Sequence, residues 1–81
     1  MDTITRDINV KAIWDPDASV WVATSDDVPG LVAEAETSEA LIQKLRVLIP
    51  ELLELNGLLD TLDPPEIPFQ LLSERSEVIA V

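Results

Sequence analysis

The run Asp26-Asp27-Val28-Pro29-Gly30-Leu31, followed by Glu36-Thr37-Ser38-Glu39-Ala40-Leu41, constrains the fold of this chain more than any other stretch. Pro29 fixes its own φ and Gly30 can take a positive φ, the pair that a type II corner requires. Thr37 can accept a backbone N–H as a helix N-cap, and Glu39 suits the positive end of a helix dipole. The signals therefore spell a turn over residues 25–30, a short strand over 31–35 and a helix start. The turn motif Asp27, Val28, Pro29, Gly30, Leu31 and the cap Thr37 are its landmarks.

Upstream, Ile8, Val10, Ala12 and Trp14 alternate with Asp7, Asn9 and Lys11, the period of a strand with one buried face. Asp15-Pro16-Asp17-Ala18-Ser19 carries turn residues, and Val20 to Thr24 resumes with β-branched and aromatic types, so the two strands form a hairpin. Downstream, Leu41, Leu45, Leu48, Leu52 and Leu55 recur at helical steps, with Ile42, Ile49 and Leu53 widening the stripe until Asn56-Gly57 stops it. Pro50 lies inside this pattern and predicts a kink or a junction of two helices. Asp63-Pro64-Pro65-Glu66-Ile67-Pro68 reads as an extended connector. Phe69 to Leu72 is a fourth strand, at a sheet edge because of Pro68, and Ser73 to Ser76 interrupts it.

The order strand, strand, strand, helix, strand predicts an α+β fold: a four-stranded mixed sheet with one Pro-kinked helix on one face. The last strand is parallel to the first by a right-handed crossover. The other face is left uncovered, with Trp21 on one side of strand two and Val20 and Val22 on the other. An uncovered apolar face in so short a chain predicts a homo-oligomer, most simply a dimer. Trp21, Leu53, Leu58, Leu59, Val78 and Ile79 are the candidate interface, since the stripe is wider than one sheet face needs and Val78 to Val81 is apolar to its end. Leu53, Leu58, Leu59 and Leu62 could instead close the bottom of the core.

Among 81 residues, 47% are hydrophobic and none is cysteine, so burial must hold one domain together without disulfides. The first residues lack a signal peptide's basic and apolar regions, and no stretch approaches a membrane span, which predicts a cytoplasmic protein with no membrane partner. Five basic against sixteen acidic residues give a formal charge of −11. That charge disfavours phosphate backbones and anionic lipid over a Debye length of about 8 Å, and favours a basic protein partner. A surface charged merely for solubility is the other reading.

Trp14-Asp15, Val20-Trp21-Val22-Ala23, Asp26 to Leu31, Glu36-Thr37 and Glu39-Ala40-Leu41 together resemble the HicB-like antitoxin family, and Ile49-Pro50-Glu51-Leu52-Leu53 resembles a small uncharacterised branch of it. The resemblance implies a partial ribonuclease-H-like fold over residues 1–81. It also implies a domain that masks a small, basic, RNA-cleaving toxin. The family's usual C-terminal helix-turn-helix or ribbon-helix-helix has no counterpart, because residues 66–81 suffice only for a strand and a tail. Ala40 also stands where a reciprocal capping box would have Glu.

Catalysis finds little support. Without histidine or cysteine, imidazole acid–base work, Ser-His triads and soft metal sites are excluded. A two-metal hydrolase would need converging carboxylates, but Asp15, Asp17, Asp26 and Asp27 fall on turns where Asp is preferred for local hydrogen bonds. Glu34, Glu36 and Glu39 read as a solvated edge and a helix start. Trp14 and Trp21 read as anchors rather than base-stacking platforms. The expectation is a non-enzymatic interaction module with no metal or cofactor, resembling a HicB-type antitoxin domain. The alternative is a stand-alone homo-oligomer of structural or regulatory role with no toxin.

Overall fold

The computed structural model describes residues 8–57 and 67–81. Strand β1 (Ile8–Asp15) pairs antiparallel with β2 (Val20–Thr24), β2 pairs antiparallel with β3 (Val32–Ala35), and the helix α1 (Ser38–Leu55) leads to β4 (Phe69–Glu74), parallel to β1. The order across the sheet is β3-β2-β1-β4, the expected α+β arrangement of a mixed sheet and one helix. β4 is an edge strand, as Pro68 predicts, and it runs on through Ser73 and Glu74 instead of breaking at Ser73.

Alternation decides what is buried. Ile8, Val10 and Ala12 of β1, Ala23 of β2, and Ala33 and Ala35 of β3 lie on one sheet face under α1. The small residues of β2 and β3 let the helix approach closely, and its contacts are chiefly with those two strands. From α1 come Leu41, Leu45, Ile49 and Leu53, spaced four residues apart; no polar side chain is buried among the described residues.

This stripe lies to one side of the expected one. Ile49 and Leu53 lie at its centre, whereas Leu48 and Leu52 are half-buried and Leu55 is 82% exposed. Leu53, at 6% exposure, is therefore a core residue and is withdrawn from the candidate interface. Pro50 does not divide the element, because α1 is one helix from Ser38 to Leu55. Its missing donor and ring clash cost about 3 kcal/mol, but burying Leu45, Ile49 and Leu53 around it returns about 1.5–3 kcal/mol for each side chain. Thr37 Oγ1 accepts from the Ala40 N–H at 3.0 Å, and Gly57 takes φ 69° beyond the C-terminal turn, so both expected caps are present.

Candidate interaction surface

The Pro-Gly corner is built as the sequence predicts. Leu31 N–H donates to the Val28 carbonyl at 3.1 Å and Gly30 has φ 86°, the i to i+3 bond and positive third residue of a type II turn. Val28 and Leu31 are buried on either side of it and peg the turn into the core. Asn56 fastens the far end: its side-chain amide donates to the Leu52 carbonyl at 2.7 Å and to the Pro29 carbonyl at 3.3 Å, tying the helix C-terminus to the corner.

The carboxylates beside the corner have structural work. β2 stops at Thr24, opposite Lys11, so the next outward rung of β1, at Asn9, has no strand to pair with on that side among the described residues. Side chains replace it. The Asn9 N–H donates to Asp27 Oδ2 at 2.8 Å, the Ser25 hydroxyl donates to the Asn9 carbonyl, and Asp27 N–H donates to Ser25 Oγ at 3.0 Å. In the hairpin, Asp15 Oδ1 accepts from Asp17 N–H at 3.0 Å, and Ser19 completes the loop at φ 56°. Asp15 and Asp27 thus satisfy backbone donors, and among the described residues no three acidic side chains gather closely enough to hold a metal ion.

The face turned away from α1 has a different character. Asn9, Lys11, Ile13 and Asp15 of β1 share it with Val20, Val22 and Thr24 of β2, Val32 and Glu34 of β3, and Gln70, Leu72 and Glu74 of β4. One rung across the sheet reads Val32, Thr24, Lys11, Leu72; the next reads Glu34, Val22, Ile13, Glu74. Ile13 thus lies directly opposite Val22, with Val32 and Leu72 on the diagonals from that pair, and Ile13, Val32 and Leu72 are 53%, 64% and 56% exposed. Lys11 Nζ lies 3.5 Å from Glu74 Oε1, so the basic side chain of this face is already matched. Toward the Asp26 loop the face deepens into an open cleft of about 680 Å³, lined by Lys11, Thr24, Asp26, Leu72 and Glu74 among others.

Trp21 does not belong to this surface. It pairs with Trp14 and Ala35 on the helix side, half-buried against the core, its ring centroid 5.4 Å from that of Trp14 in an edge-to-face arrangement. The guanidinium of Arg75 lies 4.1 Å from the Trp14 ring centroid, which closes that end of the sheet with a cation–π contact. Val78 and Ile79 are 98% and 82% exposed on the segment after β4, while Leu58, Leu59 and Leu62 lie outside the described residues. Ile13, Val32 and Leu72 are missing from the sequence-based candidates. Their signal is an apolar type at an outward strand position, visible once strand parity is known.

This architecture, a three-stranded meander and a crossover helix returning to a parallel edge strand, defines a small α+β domain class. The chain belongs to the family described as a domain of unknown function, DUF1902, whose model matches residues 7–81. It is similar to a hypothetical protein from the extremely thermophilic bacterium Thermus thermophilus, known from a crystal structure: 47% identity, covering 94% of this chain and 100% of that one, with a TM-score of 0.68. No curated protein matches the chain significantly.

Proposed function

We propose that this chain is a non-enzymatic protein-interaction module, in the manner of the HicB-type antitoxin domain that its sequence resembles. In this reading it is a homo-oligomer whose open sheet face receives a small basic protein. The observation that carries the reading is the open face itself, where exposed Ile13, Val32 and Leu72 are interleaved with Glu34 and Glu74 and bordered by Asp26. Apolar patches framed by one sign of charge suit a partner of opposite sign, which the charge steers and the patch holds. The turn duties of Asp15 and Asp27 favour binding over hydrolysis.

The test is titration against a short basic protein encoded beside this chain, by calorimetry, with the intact protein and with Ile13→Glu and Val32→Glu. Both side chains are exposed, so the variants should melt like the parent while binding at least tenfold more weakly. Binding that ignores both substitutions, or no binding by any such protein, overturns the reading. A stand-alone homo-oligomer without a toxin is the second reading. Both readings share the homo-oligomer, which the exposure of Val78, Ile79 and Val81 supports, because these side chains have no cover among the described residues of their own chain.

A further inference from the structure

We infer that residues 69–81 form one long edge strand that pairs antiparallel with the same segment of a second copy, about a two-fold axis at Arg75. The proposal deepens the homo-oligomeric reading by naming the interface and its register. It uses the sheet edge and touches the open face only at its border, where Leu72 meets Val78 of the second copy, so Ile13 and Val32 remain free for another partner.

Three independent observations converge on it. The first is exposure: Val78, Ile79 and Val81 are 98%, 82% and 120% exposed, and they belong to residue types that favour strands. The molecule extends 57 Å along its longest axis against 20 and 19 Å across, with a radius of gyration of 14.8 Å where a compact domain of this length has about 12 Å. The second is an open edge. Ile8 N–H donates to the Pro68 carbonyl at 3.1 Å, and backbone groups alternate sides along a strand. Phe69, Leu71 and Ser73 therefore direct their N–H and C=O groups away from β1, on the side where β4 has no neighbour in the sheet among the described residues. Such an edge is a template for another chain.

The third observation fixes the partner as a second copy. A two-fold antiparallel pairing places residue i opposite residue 150 − i when the axis passes through Arg75, so the segment must be palindromic in character. It is. Phe69 meets Val81, Leu71 meets Ile79 and Leu72 meets Val78, while Gln70 meets Ala80, Ser73 meets Glu77 and Glu74 meets Ser76. Every large apolar residue of β4 faces one from the segment beyond it. Odd residues oppose odd residues, so the outward backbone groups of one copy meet those of the other. The exception to complementarity is Arg75 opposite itself. Each guanidinium lies over its own Trp14 and 2.6 Å from Glu77, which draws the two like charges toward other partners.

The cysteine-free sequence makes the register testable. In the double variant Leu72→Cys, Val78→Cys, the two positions oppose each other across the axis in a non-hydrogen-bonded pair. Their Cα atoms stand about 4.5 Å apart, within disulfide range, whereas the same positions within one extended chain are about 20 Å apart. Mild oxidation should give a covalent dimer. The control Leu72→Cys, Val81→Cys, whose side chains lie on opposite faces, should give little. Sedimentation of the cysteine-free parent and of a chain lacking residues 76–81 completes the test, with a dimer expected of the first and a monomer of the second. A monomeric parent overturns both the inference and the homo-oligomeric reading. A parent and a shortened chain that are both dimers overturn the arm pairing and leave the oligomer intact. A dimeric parent whose two cysteine variants cross-link equally overturns the register.

Discussion

At the scale of single residues, two backbone conformations and one carboxylate decide how the corner and hairpin hold. A Cβ at Gly30 would meet Leu52 Cδ2 at 3.9 Å, an ordinary contact, so the demand for glycine comes from its φ and not from space. Gly30→Val should therefore lose about 1–3 kcal/mol, seen as a lower midpoint in thermal melts, because a β-branched residue is strained at φ 86°. Ser19 shows the converse. At φ 56° it occupies a conformation that glycine adopts freely, and Ser19→Gly should raise stability by about 0.5–1 kcal/mol in the same melts. Asp27 separates an anchor from a catalyst: Asp27→Ala should cost about 1 kcal/mol in denaturant unfolding by removing the acceptor for Asn9 N–H. Asp27→Asn keeps an oxygen there and should recover most of that loss.

At the scale of elements, Pro50 is the residue whose local preference the tertiary structure overrides. Pro50→Ala supplies the missing N–H to the helix and removes the ring from the path of the Arg46 carbonyl. It should stabilise the protein by about 1–3 kcal/mol in denaturant unfolding, with helical circular dichroism kept. An unchanged or lowered stability would show that the half-buried ring packs well enough to offset its backbone penalty. The same helix shows where sequence is and is not legible. Its ends are marked by Thr37 and by Asn56-Gly57, whose chemistry is local. The phase of its buried stripe is not, because leucine and isoleucine occupy positions 41, 42, 45, 48, 49, 52, 53 and 55 and several helical faces satisfy the same period. The choice falls to the packing of Leu45, Ile49 and Leu53 against Ala23, Ala33 and Ala35. The strands are legible by alternation, and the parallel placement of β4 by the long helical connection that a parallel pair requires. The open face is only half legible: strand alternation alone separates Val20 and Val22 from Trp21, but Ile13 and Leu72 require knowing which of two mixed rows faces the helix.

At the scale of the whole molecule, the charge of −11 gives the two proposed interfaces opposite dependences on salt. Association of two copies brings like net charges together, and its attraction resides in short-range backbone pairing and apolar contacts along residues 69–81. Raising sodium chloride from about 50 to 500 mM shortens the Debye length from roughly 14 to 4 Å and screens the repulsion. Dimerisation followed by sedimentation equilibrium should therefore tighten. Capture of a basic protein on the open face gains from long-range attraction between opposite charges, which acts mainly on the association rate. Stopped-flow mixing across the same salt range should show that rate falling by tenfold or more, with dissociation little changed. The like-charge argument extends to duplex DNA: with Lys11 already paired to Glu74 on the open face, the chain should give no mobility shift at physiological salt. A dimer that weakens with salt would place an opposite-charge contact at the heart of the association and rule out apolar strand pairing as its main source. Partner binding indifferent to salt would remove the acidic frame from the mechanism and leave only the apolar diagonals of Ile13, Val22, Val32 and Leu72 to account for it.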